Sequence, residues 1–303
     1  MDDLVGVATT AERLGFYSVN VPMVNASLRG DHLFSALGHE HILDTLVVMT
    51  AMLRSTNTIR VASDALPLPI LPPYYLAKSL ATLDQLSGGR LVAGMCPGYG
   101  KEQFDAHGVS IENRGRRSEE AAEVIRRLWT EERVTFAGEF YRLSDVSSEP
   151  KPLQRPHPPI WWAGGVRSIP RAVRYGQCFV TFRPSFDAIR REFVPLLAQE
   201  NGRRGTEVEL GCWIYCWVTP KRTLSAEEID ARFAGYYFAD DPNLPQEVAV
   251  AGSAEQCAAK IREYLDAGVS RLILDFQNHG IDTVASSLEQ MTIFREAVVP
   301  LLD

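Results

Sequence analysis

Residues 83–95 read LDQLSGGRLVAGM: a helix-patterned run closes on Gly88-Gly89 and turns at once into an apolar strand. Glycine reaches the left-handed conformation that ends a helix, and a continuously apolar strand is what a parallel sheet covered by helices requires. The phrase recurs as AERLGFYSVNV around Gly15, as RAVRYGQCFVTF around Gly176 and as YLDAGVSRLILDF around Gly268. Residues 59–66, 159–162 and 209–218 supply three further strand candidates, which makes seven.

Between the strands the apolar residues repeat at the helical period. The expected core-facing stripes are Leu43, Leu46, Val47, Thr50 and Ala51; then Ala121, Ala122, Ile125, Leu128 and Trp129; then Ile189, Phe193, Leu196 and Leu197. The last helix offers Leu288, Met291, Phe294 or Arg295, and Val298. Such alternation fits an open doubly wound sheet or a closed barrel. The number of units and the lack of a composition break favour the barrel. The expected class is therefore α/β, a (β/α)8 TIM barrel in a single domain over 1–303, with the first barrel strand missing or replaced. The chain opens on a helix, and seven strands stand where eight are needed. The proline-rich stretch EPKPLQRPHPP, residues 149–159, reads as a surface loop within that domain rather than a linker.

Composition narrows the function. With 46% hydrophobic, 23% charged and 9% aromatic residues over 303 positions, the chain is neither disordered nor fibrous. No apolar run approaches the roughly 20 residues of a membrane span, and the acidic, helix-patterned start is no secretory signal. A net charge of −7, from 31 basic and 38 acidic side chains, argues against a dedicated nucleic-acid binder. The five cysteines (96, 178, 212, 216 and 257) are scattered and odd in number, so a disulfide framework is not expected and a reducing cytoplasm is the default.

Several long segments resemble one family. LPLPILPPYYLAKSLATLDQLSGGRLVAGMCPGYG (66–100), RGRRSEEAAEVIRRLWTEERVTFAGEFYRL (114–143), PKPLQRPHPPIWWAGG (150–165) and GSAEQCAAKIREYLDAGVSRLIL (252–274) are similar, in order and spacing, to the bacterial luciferase-like flavin-dependent oxidoreductases. That resemblance implies a barrel with FMN, or the related deazaflavin coenzyme, bound at the C-terminal mouth. Its monooxygenases take reduced FMN from a separate flavin reductase, a transient partner, and use dioxygen to oxygenate a small-molecule substrate. A deazaflavin-dependent hydride transfer on the same scaffold is the alternative, and a non-catalytic flavin-binding relative is a third.

The resemblance assigns cofactor-binding positions. Ser63-Asp64-Ala65 falls where the family has a strand bulge with a non-proline cis peptide bond supporting the flavin ring; here the bond is Asp64–Ala65. A strand-ending Asp that merely forms a turn would look the same. Cys96, Gly98 and Tyr99 follow the next strand. Glycines there let the backbone approach a flat cofactor, and Cys96 matches a cysteine close to the flavin in bacterial luciferase, but Pro97 stands where the phosphate-binding arginine is found. An unreactive packing thiol is the plainer reading of Cys96. Gly164, Gly165, Val166, Arg167 and Ser168 precede a helix and match the family's phosphate site, where backbone N–H groups receive an anion; Ser168 as a simple N-cap is the alternative.

The loop after the first strand departs from the pattern. Met23 and Val24 of VPMVNASL replace the usual acid–histidine pair, and Pro72 replaces a second histidine. The catalytic candidates are therefore His39 and His41, then His32, all within residues 25–41, since histidine exchanges protons near neutral pH. His107 and His279 are reserves, and His157 is the least favoured. The His39-Glu40-His41 run is too weak a spacing to claim a metal, and none is expected. Trp161 and Trp162, and Trp213, Tyr215 and Trp217 on one face of another strand, are candidate pocket walls suited to an apolar or aromatic substrate, though packing of the barrel core is their plainer reading. Val48, Met49 and Met52, outside the expected stripe of their helix, point to burial on two sides and, with the family resemblance, to a homodimer or a larger oligomer.

Overall fold

The computed structural model describes residues 2–23, 43–233, 244–276 and 283–302. They divide into two compact units, the first holding residues 2–23 and 43–179 and the second the described residues from 180 onward. No described helix is long and apolar enough to cross a membrane.

The first unit is a parallel sheet with helices between its strands. Helix α1 (Asp2–Arg13) leads to β1 (Ser18–Pro22), α2 (Thr45–Ser55) to β2 (Arg60–Asp64) and the short β3 (Leu66–Pro67), α3 (Pro73–Ser87) to β4 (Leu91–Cys96), and α4 (Lys101–Ala106) and α5 (Arg114–Thr130) to β5 (Val134–Ala137) and β6 (Arg142–Val146). Then come β7 (Ile160–Ala163), α6 (Ile169–Tyr175) and the start of β8 (Cys178–Phe182). The order is β1-β2-β4-β7, parallel throughout, with β3 also on β4. Among the described residues β1 pairs only with β2. β5 and β6 form a separate antiparallel hairpin that the sequence reading did not contain. Their mixed polar pattern leaves most of both strands outside the core, so no period marks them.

In the second unit β8 ends, the chain is helical from Phe186, and α7 (Val194–Arg204) leads to β9 (Glu209–Val218). Helices α8 (Ala226–Phe233) and α9 (Leu244–Val248) precede β10 (Val250–Gly252), and α10 (Ala254–Asp266) precedes β11 (Arg271–Asp275) and α11 (Val284–Ile293). β9 carries two parallel partners, β11 along Gly211–Tyr215 and β10 along Cys216–Val218. At three residues, β10 escaped the sequence reading.

All seven expected strands are present. The helix-ending glycines behave as anticipated at Gly15, Gly88 and Gly268, with φ of 76°, 68° and 101°. Gly176 does not: its backbone is extended, at φ −111°. Its need for glycine is steric, because a Cβ there would lie 2.9 Å from the Ile160 carbonyl oxygen. The stripe of α2 is also reversed. Val48, Met49, Met52 and Leu53 are the buried face, while Leu43 and Val47 are exposed. Both faces of α2 are apolar, so periodicity alone could not choose between them. The α5 stripe and Ile189, Phe193 and Leu197 are buried as expected. The proline-rich loop belongs to the first unit, tied down where Gln154 donates through its backbone and its side chain to the Asp84 carboxylate, at 2.8 and 2.7 Å.

Below the sheet, two opposite charges hold the turn before β2. Glu12 Oε1 accepts the N–H groups of Asn57, Thr58 and Ile59, while the Arg90 guanidinium donates to the carbonyls of Leu53, Thr56 and Ile59. Arg90 thereby satisfies carbonyls that the end of α2 leaves without helical partners. Partial burial raises the Glu12 pKa, but the N–H groups of Thr58, Ile59 and Asn57 outweigh it and hold the carboxyl at about 2, against an ordinary 4.5. A depressed acid contributes stability above its unfolded pKa and loses it as pH falls toward the folded one. Glu12→Gln should therefore melt below wild type at pH 7, and the gap should close between pH 4.5 and about 2. A gap constant across that window, in melting curves taken at each pH, would show that the charge plays no part.

Candidate functional site

The parallel register brings the C-terminal ends of the first unit's strands to one rim. Pro22 stands beside Asp64, Leu66 beside Met95, and Pro67 beside Cys96. Functional groups in such sheets gather beyond these ends. The peptide bond Asp64–Ala65 is cis, as the resemblance implied, and it separates β2 from β3. Behind it, Ser63 Oγ donates to the Gly94 carbonyl and accepts from the Gly94 N–H, both at 2.9 Å. A Cβ on Gly94 would fall 1.7 Å from the Ser63 carbonyl oxygen, so this close approach admits no other residue.

Alternation separates the two faces of the sheet. Val19, Val21, Val61, Met95 and Trp162 are buried on the helix-covered side, where Trp162 stacks on Tyr175 of α6 at 5.9 Å. Asn20, Ala62, Asp64, Gly94, Cys96 and Trp161 fall on the other. Trp161 and Trp162 were expected as one wall; only Trp161 lies on the candidate face, stacked on Tyr17 at 6.2 Å.

Beyond β7, Gly164 and Gly165 open a tight turn over Val166–Ser168 that leads into α6. A Cβ on Gly164 would strike the buried Ser168 side chain at 2.5 Å, whereas one on Gly165 would meet nothing within 4 Å. Gly165 and Arg167 are exposed, and among the described residues Arg167 has no ion-pair partner. Ser168 makes no side-chain cap, so the plainer reading of that residue is not realised. The turn offers a clear approach to backbone N–H groups beside a cation, and a phosphate fits it. Gly98 (φ 77°) packs against Phe104, and Tyr99 is exposed.

His32, His39, His41 and His279 lie outside the described residues. His107 caps α4, its Nδ1 2.7 Å from the Gln103 carbonyl. His157 sits against Trp129, and burial lowers its pKa. In the second unit, Trp213, Tyr215 and Trp217 do share a face of β9, with Cys212 and Cys216 buried on the other. Sequence reasoning missed their companions: the Arg183 guanidinium lies over Trp213 and Tyr215 at 5.7 and 5.5 Å, and that of Arg232 over Trp217 at 3.7 Å. Cation and ring come from segments far apart in sequence, so no local motif announces them.

Cys96 Sγ is 3.5 Å from the Ala65 carbonyl oxygen. Burial pushes the thiol pKa up to about 12; the Gly98 N–H opposes this and the Asp64 charge adds to it. It is therefore a neutral thiol at physiological pH and no nucleophile. The remaining four cysteines are buried. A disulfide-exchange reagent at pH 8 should label the native protein far more slowly than the denatured chain, which exposes all five thiols. Rapid, stoichiometric modification of Cys96 at that pH would contradict this environment.

Comparison with known proteins bears on this geometry. Residues 1–242 match the family described as luciferase-like monooxygenase. The FMNH(2)-dependent dimethylsulfone monooxygenase of Pseudomonas putida is 32% identical over 210 residues, covering 68% of this chain and 55% of that one. The chain thus spans about half the length of that relative. The F420-dependent glucose-6-phosphate dehydrogenase of Amycolatopsis mediterranei is 27% identical over 99% of this chain and 94% of that one. Among solved structures, the monooxygenase RslO1 of Streptomyces bottropensis superposes with a TM-score of 0.82 at 23% identity, over 99% of this chain and 92% of that one. That likeness shows the shared α/β-barrel fold, and the sequence match over most of its length shows that this chain belongs to the luciferase-like monooxygenase family.

Proposed function

We propose that the chain is a flavin-dependent monooxygenase that takes reduced FMN from a separate, transiently bound flavin reductase and uses dioxygen to oxygenate a small apolar or aromatic substrate. The observation that carries this reading is the rim: the Ser63–Gly94 contact and the open Gly165 turn lie at the ends of neighbouring strands of one sheet. In this reading the N–H groups of Gly165, Val166 and Arg167 hold the phosphate, that of Ser168 being used within the turn on the Gly165 carbonyl, with Arg167 adding charge and Ser168 a hydroxyl. Ala65 supports the ring, and the neutral Cys96 lines the pocket beside Gly98 and Tyr99. Reduced flavin supplies the electrons that activate dioxygen. Trp161, on the rim's own face of the sheet, supports an apolar or aromatic substrate, and the proton donor is assigned to His39, His41 or His32, which lie outside the described residues.

A second reading, a deazaflavin-dependent oxidoreductase, is favoured by the match to the F420-dependent dehydrogenase along almost the entire chain. Anaerobic titrations with reduced FMN and with F420, followed by absorbance and fluorescence, separate the two. Tighter binding of reduced FMN is the expected result; selective F420 binding selects the second reading, and binding of neither removes both. Gly165→Leu refines the test. The backbone there (φ −81°, ψ 178°) accepts any side chain, so stability should stay within about 1 kcal/mol of wild type while FMN affinity falls at least about tenfold. Wild-type affinity in this variant would place the phosphate elsewhere.

The outward face of α2 supports a homodimer. Val47, Leu86 and Tyr75 are exposed around a groove of about 450 Å³ between α2 and α3, which Asp44 and Lys78 also line. An isologous contact on this face would bury the apolar side chains of both copies. Light scattering at micromolar concentration should give twice the monomer mass for wild type and a lower mass for Val47→Glu; a monomeric wild type overturns the assignment.

A further inference from the structure

Asn20 occupies the middle of β1, opposite Ala62 of β2. Its neighbours Val19 and Val21 are buried on the helix-covered side, so alternation turns Asn20 to the face that carries Asp64, Gly94 and Cys96. Ser18 Oγ donates to Asn20 Oδ1 at 3.0 Å, which fixes the amide. Nδ2 is left buried with no hydrogen-bond partner among the described residues. Native structures keep few such donors, because each has given up water without a replacement, and each asks for an explanation.

The surroundings suggest the missing acceptor. Ala62 beside Asn20 is small, and the register places the cis bond Asp64–Ala65 only two residues further along the neighbouring strand, where Pro22 meets Asp64. Met23 and Val24, in the positions where family members commonly carry an acid–histidine pair, offer no side-chain donor. Ser18 is already committed to Asn20 itself. Asn20 Nδ2 is thus the side-chain N–H that β1 presents on this face, held in place and unmatched among the described residues.

We infer that Asn20 Nδ2 donates a hydrogen bond to a ring carbonyl oxygen of the bound flavin-type cofactor, making Asn20 a cofactor-reading residue of this chain. The inference rests on the flavin reading of the rim, and it adds a contact that no resemblance to the family supplied. A donor at a ring carbonyl withdraws charge from the ring, so the contact should affect both affinity and the spectrum of the bound flavin.

The test uses Asn20→Ala and Asn20→Leu, titrated with FMN, oxidised and reduced, under nitrogen. Both should bind FMN about five- to tenfold more weakly than wild type, the loss expected for one neutral hydrogen bond, and the visible band of bound FMN should shift. Without FMN, each variant should melt only a few degrees below wild type, because the one hydrogen bond lost is that from Ser18 to Oδ1, while Nδ2 has no partner among the described residues. Wild-type binding that survives unchanged in both variants overturns the inference while leaving the flavin reading intact. Failure of the wild type to bind FMN or F420 overturns both. Weakened binding with an equally lowered melting temperature of the cofactor-free variants also overturns it, by showing that Asn20 acts on the fold.

Discussion

The rim depends on Gly94 having no side chain. Because nothing projects from its Cα, the Ser63 carbonyl can stand 1.7 Å from where a Cβ would be, and the Ser63 hydroxyl can close two hydrogen bonds on the Gly94 backbone. That contact lets β2 end beside β4 and brings the cis bond Asp64–Ala65 level with the rim. From there β3 continues along β4, pairing Leu66 with Met95 and Pro67 with Cys96. Cys96 is held against Ala65 by the same arrangement, and its environment keeps the thiol neutral. One absent methyl group therefore shapes the floor of the candidate cofactor site.

How much of this was legible follows from the kind of signal each feature leaves. The strands were readable because continuous apolar runs follow helix-ending glycines, as at Gly88 and Gly268. The hairpin of β5 and β6 was not, since its residues alternate neither cleanly apolar nor cleanly polar. Periodicity found the helix α2 but reversed its faces: with Leu46 and Val47 on one side and Met49 and Met52 on the other, the pattern carries no direction until neighbours are known. Gly176 shows the same gap in miniature. Its position at a helix end suggested a left-handed turn, whereas a contact with the Ile160 carbonyl is the constraint, and such contacts are tertiary.

The candidate site divides in the same way. The Asp64–Ala65 bond and the glycine turn at 164–165 were reached through resemblance, because the residues that mark them are contiguous. Asn20 and the pairs Arg183 with Tyr215 and Arg232 with Trp217 were invisible, because their chemistry comes from burial and from partners distant in sequence. The resemblance also marked Met23 and Val24 as standing where an acid–histidine pair is usual, a departure that contiguous sequence can show and the burial of an amide cannot.

The central claim is that a flavin-type cofactor binds on the first unit's rim. Hydrogen exchange measured by mass spectrometry, with and without saturating reduced FMN under nitrogen, tests it directly. The account predicts slowed exchange in peptides covering residues 62–68, 94–100 and 164–168, with the β5–β6 hairpin unchanged. Slowed exchange elsewhere, with these three segments indifferent to FMN, would contradict it.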